Sequence, residues 1–198
     1  MIPAFEHHPN CQFLGFPMSQ NRYAIPAWSY LFEKVKPVSI VEIGTSDGGM
    51  SCLLAIAALR LRATFDTFDV GATVSDEIRA ILDEVCVPGN GFHQHDVFEV
   101  YAQGLIKHRV ARPGSAIILC DGGNKDKEFR TFLTFLKHGD IIATHDARGR
   151  ESWPWQEFFP ENVQDIMQKN DLEEFMREVF METGWFVCRK IVKSEKGS

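Results

Sequence analysis

Ile40-Val41-Glu42-Ile43-Gly44-Thr45-Ser46-Asp47-Gly48-Gly49-Met50-Ser51 decides the fold. A short apolar run ends in Glu42-Ile43-Gly44, a tight polar loop follows, and small and apolar residues from Met50 to Leu61 continue at helical density. The stretch reads as a strand, a glycine turn and a helix N-terminus. That arrangement aims unpaired backbone N–H groups and the positive end of a helix dipole at whatever lies above the turn. Glycines there permit positive φ and close approach of a ligand to the backbone.

Outward from this turn the chain alternates. Pro26 to Val35 has helical spacing and stops at Pro37, and Val38–Ile43 is nearly all apolar. Strands are expected over Thr64–Val70, Phe92–His95, Ser115–Cys120, Asp140–Thr144 and Trp185–Val192. Helices are expected from the Ser75 cap onward, with Ile78, Ile81, Leu82 and Val85 inside, over Glu99–Arg109, and around Phe129–Leu136 with Gly139 as its C-cap. The helix after the turn should bury Leu53, Leu54, Ile56, Ala57 and Leu61. Asp171-Leu172-Glu173-Glu174 reads as a capping box opening a late helix that Gly184 ends. Residues 1–22 are expected to be irregular, with Phe13, Leu14 and Phe16 packing on the domain. Strands alternating with helices imply an α/β fold, a mostly parallel sheet with helices on both faces. One domain is expected over 1–198: an N-terminal extension and helix (1–37), an α/β core (38–192) and a tail (193–198).

Composition excludes several classes. The 198 residues carry a net charge of −6, which argues against a nucleic-acid backbone as partner. No apolar run is long enough to span a bilayer and the first twelve residues lack signal-peptide character, so a cytoplasmic protein is expected. The five cysteines are scattered and form no CxxC pair, and Cys52, Cys120 and Cys188 read as buried thiols.

In an open α/β sheet the ligand sits beyond the C-terminal strand ends. Here those ends carry Glu42 and Gly44, Asp69, Asp96, Asp121 and Asp146. The glycine spacing is Gly44-x-x-x-Gly48-Gly49, not the GxGxxG of a dinucleotide turn, and no Gly-Lys-Ser/Thr follows as in a Walker loop. An acid two residues ahead of the first glycine, with that wider gap, resembles the first motif of class I S-adenosylmethionine (SAM)-dependent methyltransferases. Gly15-Phe-Pro-Met-Ser-Gln20-Asn21, Tyr30-Leu-Phe-Glu-Lys-Val-Lys-Pro37 and Val41-Glu-Ile-Gly44-Thr-Ser-Asp-Gly48-Gly49 together resemble the opening of the cephalosporin hydroxylase/rhamnosyl O-methyltransferase family. The likeness runs more loosely through Asp121 and Asp146 to Gly184.

The resemblance implies a Rossmann-like methyltransferase fold, SAM as cofactor and an oxygen acceptor on a small molecule or sugar. It places the cofactor on Glu42, Gly44, Thr45, Ser46, Gly48, Gly49 and Ser51, with Asp69 and Val70 at the ribose. An acid at that strand tip can accept both hydroxyls of a neutral diol, and Asp66 is the rival acid. Asp96 is the candidate for the adenine amino group. Asp121 could face the methionine end, a metal or the substrate.

A divalent cation, Mg2+ or another, is implied at Asp121 and Asp146, with Asn124 an additional oxygen donor nearby. His145 stands where the family has an acid or amide; magnesium prefers oxygen ligands and imidazole suits transition metals. Lys125, one residue further along than the catalytic lysine of catechol-type enzymes, and His145 are the rival bases. Two other readings stay open. One is a metal-dependent hydrolase using His93, His95, Asp121, His145 and Asp146; alternation places the first two on one strand face. The other is a non-catalytic adenosyl-binding module. Trp153-Pro154-Trp155 could form a lid over an apolar or sugar acceptor. Residues 1–25 could pack on a second copy as a homo-oligomer.

Overall fold

A computed structural model describes residues 11–71, 74–86, 91–147 and 157–192. The Trp153–Trp155 loop, His7, His8 and the tail lie outside them.

Strand β3 (Ser39–Ile43) is buried along its whole length because neighbours flank it on both edges and helices cover both faces. It runs parallel to β4 (Thr64–Asp69) on one side and to β6 (Ala116–Cys120) on the other. β5 (Gly91–Gln94) extends the sheet beyond β4, and β7 (Ile141–Thr144) extends it beyond β6. β9 (Phe186–Lys190) is antiparallel to β7 and carries β8 (Leu172–Glu174) at the edge. The order is β5-β4-β3-β6-β7-β9-β8. The chain builds outward from β3 through β4 to β5, then returns to β6 on the opposite side. The topological switch therefore falls between β3 and β6, where such sheets bind ligands.

Alternating side chains split the interior into two layers. Ile40, Phe65, Ile117 and Leu119 meet α1 (Ala24–Val35), α2 (Gly49–Leu61) and α3 (Asp76–Val85). Val41, Phe68, Ile118 and Cys120 meet α4 (Val100–Val110), α5 (Lys125–Phe132) and α6 (Gln164–Lys169). Ser75 caps α3, its Oγ accepting from the Ile78 N–H. Cys52, Cys120 and Cys188 are buried thiols. Among the described residues no helix is long and apolar enough to cross a membrane.

Several expectations fail in instructive ways. Residues 12–17 form a hairpin, β1 (Gln12–Phe13) with β2 (Phe16–Pro17), turned by Leu14 and Gly15, both at positive φ. Phe13 and Phe16 pack on the core and Leu14 faces solvent. Ile56 of α2 is exposed rather than buried. Asp171–Glu174 does not cap a helix: Leu172, Glu173 and Glu174 pair with Lys190, Arg189 and Cys188. An available β9 edge outcompetes a local cap, and the late helix shrinks to α7 (Arg177–Phe180). Gly139 does not cap α5, which ends at Phe132 and tightens into a 3-10 turn over Leu133–Phe135. Gly139, at φ 85°, instead turns the chain into β7.

Candidate functional site

The turn after β3 is held from beneath. Glu42 lies under the N-terminus of α2, and its Oε2 accepts from the Ser51 hydroxyl and, at 2.7 Å, from Thr67 Oγ1. Thr67 in turn lies 2.7 Å from Thr45 Oγ1. Burial lifts the Glu42 pKa to about 8 against the opposing effect of these donors. Glu42, Thr45 and Ser51 thus form a buried polar layer that braces the turn from the α2 side.

Above that layer the backbone comes close to its neighbours. Gly44 has φ 95°, and a Cβ there would stand 2.3 Å from the Asp121 carbonyl oxygen. The tips of β3 and β6 are tied by Asp121 N–H donating to Ile43 O at 2.9 Å. A Cβ on Gly49 would stand 2.3 Å from Pro17 O, so the N-terminal hairpin presses on the start of α2. Gly48 adopts φ 80° at the helix entry, and Ser46 is also at positive φ.

Asp69 ends β4 facing this turn. Its Oδ2 accepts from Ser46 N–H at 3.0 Å and its Oδ1 from Gly71 N–H at 2.8 Å. The rival acid, Asp66, is fully buried and taken up by Arg109 Nε at 2.7 Å and His93 Nε2 at 2.8 Å. It fastens β4 to β5 and α4 and does not reach the cleft.

A cleft of about 370 Å³ opens along the strand ends. Gly44, Asp69, Val70 and Asp96 line it, with Phe68 and Phe98 giving it an apolar wall. Asp96 Oδ1 also accepts from Phe98 N–H at 2.9 Å. Gly122, Gly123 and Asn124 close the far end. Glu128, which the sequence reading passed over, organises that end by accepting from Gly122 N–H and Asn124 N–H, both at 3.1 Å. Its carboxyl is pushed up by burial.

Beyond Gly122 lies a charged cluster. Asp121, His145 and Asp146 each offer a ligand atom within 4.8 Å of the others. His145 Nδ1 stands 3.1 Å from Asp121 Oδ1 and 3.3 Å from Asp146 Oδ1. Asp146 is held at φ 53°, an uncommon conformation for a residue with a side chain. Its carbonyl accepts the backbone N–H groups of Glu157 and Phe158. Lys125 Nζ lies 3.0 Å from Asp146 Oδ2, 2.9 Å from Glu157 Oε2 and 3.7 Å from Asp121 Oδ1. Burial alone would lower the Lys125 pKa, but Asp121, Glu157 and Asp146 together hold it above the usual lysine range. In this arrangement Lys125 is an ammonium. His145 is likewise pulled down by burial and carried above its ordinary value by Asp121 and Asp146. Burial raises Asp146.

The cluster suits a divalent cation. Asp146 Oδ1 is buried without a hydrogen bond, and the donor set combines two carboxylates with an imidazole. His93 and His95 do not join it. The strand ends at Gln94, so His93 stays with Asp66 while His95 stands in the turn 3.0 Å from Glu99. A hydrolase built on all five residues therefore loses two of its ligands.

Gln20, Thr67, Glu128 and Glu157 were missed from sequence. Gln20, Thr67 and Glu157 act across elements far apart in the chain, where no local pattern marks them. Glu128 acts locally, one turn from the Asn124 N-cap, and that spacing was the available signal.

No protein-family model matches the chain, and no curated protein does. Solved structures do. The apo structure of CmcI-N160 superposes with a TM-score of 0.69 at 14% identity, over 95% of this chain and 79% of that one. The Mg-SAM structure of CmcI-D160 gives 0.65 at 13% identity, over 95% and 79%. The O-methyltransferase TomG from Streptomyces achromogenes, in complex with SAM, gives 0.54 at 15% identity, over 87% and 81%. The chain thus has the Rossmann-like fold of these solved structures, a mostly parallel seven-stranded sheet flanked by helices.

Proposed function

We propose that this chain is a SAM-dependent methyltransferase that methylates a hydroxyl oxygen of a small molecule or sugar. The observation that carries the reading is the continuity of one strand-end surface. It runs from Asp96 and Asp69, past the close approach of Gly44 to Asp121, to the Asp121–His145–Asp146 cluster. A donor cleft and an acceptor cluster are adjacent, as in-line transfer requires. The solved SAM complexes of CmcI-D160 and TomG, which share the fold, support it.

The residues fit the cofactor. A carboxylate has about four lone-pair sites, and Asp69 uses two on Ser46 and Gly71, leaving acceptor capacity for a ribose diol. The apolar wall at Phe68 and Phe98 suits an adenine face. SAM supplies a methyl group made electrophilic by its sulfonium. What remains for the protein is alignment and proton removal. Asp121 is the least buried of the three clustered residues, so an incoming acceptor meets it first. Where no cation is held, Asp121, backed by His145 Nδ1 at 3.1 Å from its Oδ1, is placed to take up the proton. Lys125, as an ammonium, offsets the carboxylate charge that would repel a developing alkoxide. A divalent cation held by Asp121, His145 and Asp146 would supply Lewis acidity that lowers the hydroxyl pKa.

Titration calorimetry tests the reading: SAM is expected to bind, and absence of heat with an intact fold would sink it. Asp69→Ala is expected to weaken SAM about 100-fold, the loss of two hydrogen bonds to a charged group; unchanged affinity would reassign the ribose. Binding without transfer to any hydroxyl acceptor would favour the non-catalytic module. Because one ligand is an imidazole, Mn2+ is expected to raise the melting temperature more than Mg2+ at equal concentration. His145→Asp should narrow that difference.

A further inference from the structure

The chain reaches the acceptor cluster from an unexpected direction. Gln20 precedes α1, yet its side chain is buried to within 3% exposure at the C-terminal end of the sheet. Its orientation is fixed by chemistry. The Trp185 indole N–H can only donate, and it lies 2.7 Å from Gln20 Oε1. The amide NH2 must then face the other way, where Nε2 donates to Asp121 Oδ2 at 2.8 Å and lies 3.4 Å from His145 Nδ1. The Asp121 oxygens are thereby divided: Oδ2 belongs to Gln20, and Oδ1 is left to face His145. Trp185 also packs on the His145 ring, with centroids 4.8 Å apart. The segment bearing Gln20 is pinned on both sides. Pro17 O rests on Gly49, and Asn21 Nδ2 donates to Glu182 O at 2.5 Å.

We propose that Gln20 is a positioning residue for the acceptor site: it sets the Asp121 carboxylate and, through it, the His145 ring, making the strap of residues 11–21 a working part of the site. This rests on the methyl-transfer reading for what the site is for, but the geometry stands without it. Without the amide, Asp121 is free to turn about its last torsion, and Nδ1 loses a fixed acceptor. Ring orientation in such carboxylate–histidine pairs is set by the hydrogen bond to the carboxylate.

The test is long-range 15N–1H NMR on protein labelled at its seven histidines. His145 is identified by the signal lost in His145→Asn. In Gln20→Met, which keeps side-chain length and removes both hydrogen bonds, the His145 ring nitrogens are expected to move toward the averaged position of exchanging tautomers. In Gln20→Glu, which keeps an acceptor for Trp185 but loses the donor to Asp121 Oδ2, they are expected to move away from their positions in the parent as well. His93, held by Asp66, which Arg109 also grips, should stay in place in both. Unmoved His145 signals in a folded variant overturn the proposal. Movement of His93 along with His145 in Gln20→Glu also overturns it, because the side chain would then be supporting the fold at large. SAM calorimetry on the parent runs alongside. Failure there removes the methyl-transfer reading and leaves the Gln20 result legible on its own.

Discussion

Gly44→Ala is expected to lower the stability of the protein by about 4 kcal/mol and to abolish SAM binding. Two costs add. Gly44 sits at φ 95°, where a residue with a side chain is strained by roughly 1–3 kcal/mol. The new Cβ would also stand 2.3 Å from the Asp121 carbonyl oxygen and 2.7 Å from its carbon, an overpacking worth roughly 1–3 kcal/mol more. The clash is with backbone, so no rotamer change relieves it. Relief requires β3 and β6 to separate at their tips, which breaks the Asp121 N–H to Ile43 O bond and shifts Asp121 away from Gln20 and His145. Gly123→Ala is the control. It lies in the same cleft, with open space where its Cβ would go and no positive φ, and should cost no more than about 1 kcal/mol. Urea unfolding of the two variants beside the parent measures the difference. Equal midpoints would mean that β3 and β6 do not approach as closely as described.

That contrast shows what the sequence made legible. The strand, turn and helix from Ile40 to Leu61 could be read because an apolar run, a glycine cluster and a helical stretch are consecutive, and local rules apply to consecutive residues. The parallel core followed from the same alternation. Which side a residue of the turn would face did not follow. Glu42 and Ser51 carry the motif, yet they point inward, Ser51 to Glu42 and Glu42 to Thr67, because the α2 N-terminus covers β3 on that face. At Asp171–Glu174 the capping-box pattern was present, and it lost to pairing with Cys188–Lys190, a partner that exists only after the chain has folded. The same holds for Gln20, whose two hydrogen-bond partners lie 101 and 165 positions away. Candidate ligands at strand ends can be read from sequence; the groups that orient them are visible only in three dimensions.

Glu42 gives the other large effect, and it appears as a pH dependence of stability. Burial raises its carboxyl from 4.5 to about 8 in the native state. The hydroxyls of Ser51 and Thr67 pull the other way, as does the N-terminus of α2 by its dipole, but desolvation of a fully buried carboxylate outweighs them. Between pH 4.5 and about 8 the unfolded chain has released this proton and the native chain still holds it. The unfolded state therefore binds fewer protons, and stability falls as pH rises through that window. The contribution is fully present below pH 4.5 and gone above about 8, a loss of up to about 5 kcal/mol from this one group. Glu42→Gln cannot ionise and still offers an oxygen to Ser51 and Thr67. The variant is expected to match the parent near pH 5 and to exceed it by a few kcal/mol at pH 8–9, with its stability profile flattened across the window. Urea unfolding of the SAM-free protein at three pH values measures this. Parallel profiles for parent and variant would show that Glu42 is ionised in the fold, and the buried layer beneath the glycine turn would then have to carry a full negative charge under the donor cleft.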